Sequence, residues 1–137
     1  MTYLLDTNVL SETRKRHPSP SMTEWISATP PDRLYVSVLT LGEIEQGIAR
    51  IRGRGDQRQA SAVERWLRDV EAGFADRVLA VTLRVAAAWG RQQYRQPLPV
   101  IDALIAATAR VHGMTVVTRN VKDFELAGVE VLNPFSE

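Results

Sequence analysis

Four side chains that bind hard cations or water, Asp6, Glu43, Asp102 and Asn120, stand where short apolar runs give way to helix-forming sequence, and Asp123 follows the last of them. Carboxylates gathered in one cleft repel one another and take up protons unless a cation neutralises them. Hard divalent ions accept oxygen ligands and keep waters that a phosphate can displace, so a converging set points to Mg2+, with Mn2+ as a substitute. Such an ion polarises a phosphodiester and lowers the pKa of its water, and no Ser, His or Lys nucleophile is then required. Each residue also has a purely structural reading. Asp6 can cap the helix after it, and Thr40-x-x-Glu43 has the spacing of a capping box, of which Asn120-x-x-Asp123 is a weaker version. Asp102 near a helix start is favoured by the helix dipole alone.

These side chains need a framework. The run Tyr3-Leu4-Leu5, closed by Asp6-Thr7-Asn8, reads as a buried strand passing into a helix over 7–14, which Arg14-Lys15-Arg16-His17-Pro18-Ser19-Pro20 breaks. Apolar spacing predicts further helices over 21–28, 40–53, 57–74 and 82–96, and one bounded by Pro99 and Gly113. Short β-branched runs predict strands at 34–38, 78–81, 115–118 and 129–132, with a helical turn over 123–126. Strands alternating with helices argue an α/β fold whose parallel sheet is covered on both faces. Right-handed crossovers bring the carboxyl ends of all strands to one edge, which gathers Asp6, Glu43 and Asn120. Asp102 opens a helix leading into the fourth strand and starts at the opposite end, unless the 96–99 connection carries that helix to the rim; periodicity leaves both open. Trp25, Trp66 and Trp89 lie on apolar helix faces and are expected in the core.

A chain of 137 residues fits one domain, 1–137. Without cysteine there are no disulfides, thiolate ligands or thiol nucleophiles, which suits a reducing cytosol. No basic segment followed by an apolar stretch opens the chain and no run is long enough to span a bilayer, so a cytoplasmic protein is expected. A net charge of +1 makes any nucleic-acid contact depend on local patches. Arg14-Lys15-Arg16 and the group Arg50, Arg52, Arg54 and Arg58 are two such patches, although a solvated helix end is the plainer account of the second. His17 and His112 have no partner by spacing and read as structural or solvated.

Four motifs in register resemble the PIN-domain ribonucleases, and among them the VapC-like toxins of the FitB-like branch. They are Leu5-Asp6-Thr7-Asn8-Val9, Ser37-x-x-Thr40-x-x-Glu43 with Gly47, Asp102-x-x-Ile105-Ala106-Ala107-Thr108-Ala109, and Thr118-Arg119-Asn120-x-x-Asp123-Phe124. The resemblance implies a three-layer α/β/α domain with a five-stranded parallel sheet in the order 3-2-1-4-5. It implies a metal-dependent endoribonuclease acting on tRNA or other structured RNA and inhibiting translation. It also places Asp102 with the other acids: Asp6, Glu43 and Asp102 would be the metal ligands, Asn120 the fourth catalytic position, and Thr7, Asn8, Ser37, Thr118 and Asp123 their hydrogen-bonding supports. Asn120 departs from the most acidic version of the pattern, which bears on a second metal. The partners implied are a cognate antitoxin, RNA, and a second copy in a homodimer or hetero-oligomer, with the antitoxin laid against the helices carrying Trp25 and Ile48.

Two other classes compete. An aspartyl-phosphate phosphatase wants a second acid where Asn8 stands, and a receiver domain wants an Asp where Ala80-Val81-Thr82 ends the third strand. A binding module that keeps the fold without catalysis is favoured by Asn120 alone.

Overall fold

The computed structural model describes residues 1–93 and 96–135. Strands β1 (Tyr3–Leu5), β2 (Leu34–Ser37), β3 (Val78–Leu79), β4 (Thr115–Val117) and β5 (Val131–Leu132) form one parallel sheet in the order β3-β2-β1-β4-β5. The helices are α1 (Thr7–Glu12), α2 (Pro20–Ala28), α3 (Val38–Gly53), α4 (Gln57–Phe74), α5 (Leu83–Arg91), α6 (Val100–His112) and α7 (Val121–Leu126). The expected sheet order and helix sequence are therefore present.

Alternation along each strand divides the core into two layers, because successive side chains point to opposite faces. Leu5, Val36 and Val117 join Val9 and Leu10 of α1, Met22 of α2, Ile44 and Ile48 of α3, and Val63 and Leu67 of α4. Leu4 and Val116 join Ile105, Ala106 and Ala109 of α6 and Phe124 of α7 on the other side. The alanines of α6 let that helix lie close on the sheet, and Gly113 ends it in the left-handed conformation, φ +66°.

Several boundaries differ from the sequence reading. Helix α1 stops at Glu12 rather than 14, and α2 begins one residue early because Pro20 takes the first helical turn behind a Ser19 cap. Helix α3 starts at Val38, since the Ser37 hydroxyl accepts the Leu39 N–H at 3.0 Å. Helix α5 ends at Arg91, beside Gly90 and an extended Gln92; the part of the 82–96 expectation that falls on 94–95 lies outside the described residues. Trp89 is 38 % exposed, contrary to the core expectation: α5 packs on α6 as the outer layer, and among the described residues this ring is not enclosed. Trp25 packs edge-on against Tyr3, ring centroids 5.0 Å apart, and Ile48 is buried. Trp25 is partly buried against the same core layer, and Thr13, Pro18, Met22, Thr23, Ile26 and Ser27 line a shallow hollow along α2.

Candidate active site

In a 3-2-1-4-5 sheet the connections run outward in both directions from β1, and the crevice beside its carboxyl end is where ligands of open α/β sheets bind. Asp6 occupies that point. Its main-chain N–H continues the ladder to Val117 O at 2.9 Å, which fixes the backbone from which the carboxylate projects. Asp6 is also the cap of α1, with Oδ1 accepting the Thr7 N–H at 2.8 Å. Oδ2 accepts from the Thr118 hydroxyl at 2.8 Å and from Asn8 Nδ2 at 3.2 Å. Asp6 is thus a helix cap that also stands at the carboxyl edge of the sheet. Burial is the largest influence on this carboxyl and raises its pKa; the Thr118 and Thr7 hydrogen bonds pull it down, and the Glu43 charge pushes it up.

Glu43 belongs to the second turn of α3. The expected capping box is not formed: Ser37 caps this helix, and Thr40 lies within it, fully buried. Glu43 is left to face α1, where its Oε1 accepts from the Thr7 hydroxyl at 2.5 Å; that hydroxyl also lies 3.4 Å from Thr40 Oγ1. Thr7 therefore ties α1 to α3 beside both acids, while Ser37 acts by fixing the start of the helix that carries Glu43.

Asp102, in the first turn of α6, lies at the carboxyl edge rather than at the opposite end. The chain returns to the rim before α6 begins, and Ile101 lines a hollow with Val38, Leu39, Gly42 and Glu43. Its carboxyl is pushed up to about 6, first by burial and then by the charges of Asp6, Glu43 and Asp123. One acid thus senses three others, from the cap of α1 just beyond β1, from α3 and from α7.

Beyond β4, Thr118 Oγ1 accepts the Asn120 N–H at 2.9 Å and approaches Asn8 Nδ2 at 3.3 Å while donating to Asp6. Asn120 Nδ2 donates to Asp123 Oδ2 at 3.0 Å, so the pair is joined side chain to side chain rather than as a cap to backbone. All nine residues singled out from the sequence are accounted for at this edge. Sequence reasoning missed Glu12, which is 5 % exposed at the end of α1 and accepts the Ser19 N–H at 2.8 Å. No motif signals it, since its partners lie in a loop and beyond β4.

The donors Asp6, Glu43 and Asp102 offer only carboxylate oxygens, already short of positive charge. Among the described residues no group of three or more Asp, Glu or His side chains is placed to hold a metal ion as it stands, although an all-oxygen donor set is of the kind hard cations take. That donor chemistry fits Mg2+ or Mn2+.

The fold is thus a doubly wound parallel sheet with acids gathered at its switch point, the edge where open α/β sheets bind ligands. The chain belongs to the PIN domain family, whose pattern matches residues 3–129. It is similar to the plasmid stability protein StbB of Pseudomonas syringae pv. tomato, 36 % identical over 96 % of this chain and 97 % of that one. The VapC ribonuclease Y4jK of Sinorhizobium fredii is 34 % identical over 96 % of each. The toxin FitB of Neisseria gonorrhoeae is 30 % identical over 98 % and 99 %. A crystal structure of FitAcB from that organism superimposes with a TM-score of 0.88 over 97 % of this chain and 98 % of that one. Among the described residues no helix is long and apolar enough to cross a membrane.

Proposed function

We propose that the chain is a Mg2+- or Mn2+-dependent endoribonuclease and the toxin of a toxin-antitoxin pair, acting in the cytoplasm on tRNA or other structured RNA and so inhibiting translation. The observation that carries this reading is the meeting of Asp6, Glu43, Asp102 and Asp123 at the carboxyl edge of the sheet, near enough that burial and the other three charges push the Asp102 carboxyl up to about 6. Asp6, Glu43 and Asp102 would hold the ion. When bound, it supplies a polarised phosphodiester and an activated water. Thr118, Asn8 and Thr7 fix the oxygens of Asp6 and Glu43, and Asn120 holds Asp123 toward the pocket without adding charge. A basic side chain of an antitoxin would be received by the same acids, and the half-exposed Val38, Leu39 and Ile101 rim offers apolar contact beside them. Association of two copies follows the resemblance.

The test is cleavage of bulk tRNA by purified protein in Mn2+, in Mg2+ and in EDTA, with Asp6→Ala and Asp102→Ala as controls. Cleavage only with the ion, and only by the unmodified chain, is the expected result. Turnover of p-nitrophenyl phosphate instead would mark a phosphatase, and RNA binding without cleavage a binding module.

A further inference from the structure

Two cations meet on one carboxylate oxygen outside the acid pocket. Glu12 Oε1 lies 2.8 Å from Lys15 Nζ and 4.0 Å from Arg119 Nη2. The acid is buried, yet the Lys15 and Arg119 side chains are 57 % and 52 % exposed. One buried negative charge beneath two exposed positive ones leaves this spot positive. Arg119 is further oriented: its guanidinium carbon sits 3.8 Å from the centroid of the Phe135 ring, itself buried. Its main-chain N–H donates to Asn8 Oδ1 at 3.2 Å, and the Asn8 amide donates to Asp6. The cationic pair is thus linked through a single side chain to the acid at the head of the pocket.

We infer that Lys15 and Arg119 form a backbone-phosphate site for RNA flanking the scissile bond, preset by Glu12 and Phe135. The inference rests on the endoribonuclease reading. An acid pocket repels a polyanion, and a chain of net charge +1 has little general field to offset that, so local cations must supply the attraction. A planar guanidinium with one face on an aromatic ring has lost much of its side-chain freedom before binding, and its N–H edges suit a phosphate. Glu12 relieves the repulsion between the two cations and competes with the phosphate for them.

The probe is a fluorescein-labelled single-stranded RNA of mixed sequence, titrated in EDTA over a range of salt and well below the melting temperature of every variant. Arg119→Ala and Lys15→Ala should each weaken binding and reduce the slope of log affinity against log salt by about 0.7. In Mn2+ both should raise KM for tRNA cleavage several-fold while kcat stays within about twofold, the pattern of lost uniform binding. Glu12→Gln keeps an acceptor for Ser19 and should lower thermal stability yet tighten RNA binding, an opposition that a merely structural ion pair would not produce. Unchanged slopes in both alanine variants, or no tightening in Glu12→Gln, overturns the inference. So does a loss of affinity for polyglutamate without a loss for RNA, which would mark a surface for an acidic polypeptide. If the unmodified chain binds RNA with these dependences but cleaves none, the endoribonuclease reading fails and the phosphate site stands.

Discussion

The Thr118 hydroxyl donates to Asp6 Oδ2 at 2.8 Å across 112 residues of chain, with both side chains buried. One hydroxyl oxygen there serves three groups, donating to Asp6, accepting from the Asn120 N–H and approaching Asn8 Nδ2. Thr118→Val keeps the shape and removes all three. Leaving a buried carboxylate and an amide without this partner should cost about 1–3 kcal/mol in urea unfolding. Because Asp6 would lose its orientation, RNA cleavage should fall roughly 10- to 100-fold. A variant as active as the parent would mean that Asn8 and the Thr7 amide hold Asp6 without help.

Thr7 makes the corresponding contact with Glu43. Thr7→Val should weaken Mn2+ binding roughly 10- to 100-fold by calorimetry, whereas Thr7→Ser, which retains the hydroxyl, should stay near the parent value. Equal losses in both variants would show that the methyl packing of Thr7 matters rather than its hydrogen bond.

The pH dependence of the metal-free protein follows from Asp102. Its carboxyl titrates at about 6 in the folded chain against an ordinary 3.8, so between these values the folded state holds more protons than the unfolded one. Stability in EDTA should therefore fall as pH rises through that window, and Asp6, also raised, acts in the same sense. Glu12 works oppositely. Its carboxyl is held below the ordinary range, first by Lys15 and then by the Ser19 N–H, and the stability it contributes is lost as the solution is acidified through its folded pKa. Melting temperatures in EDTA should show the Asp102→Asn variant losing less stability than the parent as pH is raised to about 6; identical slopes would contradict this. Divalent-ion affinity should weaken below about pH 6, because the ion competes with the proton on Asp102.

Asn120 donates its amide to Asp123 where the more acidic pattern would carry a charge. Asn120→Asp replaces that hydrogen bond with two like charges, so the variant should melt lower than the parent in EDTA. Saturating Mn2+ should raise its melting temperature by more than it raises the parent's, because binding to the folded state alone adds stability. A smaller ion-induced shift in the variant would show that this position does not face the ion.

What could be read from the chain alone depended on how local its cause was. The bounds of α4 match the expected 57–74 because Ala60, Val63 and Leu67 repeat along one face behind an Asp56 cap. The start of α3 was not legible, since Ser37 and Thr40 are both competent caps and only the end of β2 selects the first. The acids Asp6, Glu43 and Asn120 followed from strand ends, but the place of Asp102 depended on where a connection returns the chain, which periodicity does not encode. Trp89 was misplaced for a similar reason: an apolar stripe predicts burial without saying how many layers lie above it. Lys15 was legible as part of a basic run, but its meeting with Arg119 on Glu12 was not, because Arg119 reaches that acid from beyond β4.

The strand that opens the chain lies in the middle of the sheet and pairs on one side with residues 115–117. Leu4 finds its partner Val116, and Leu5 its partner Val117, only after the intervening strands and helices have been made. A product cut short before Thr115 has one flank of β1 unpaired and Asp6 without the Thr118 hydroxyl. Continuity of the chain from β1 through Thr118 is thus the condition for the hydrogen bonds that orient Asp6.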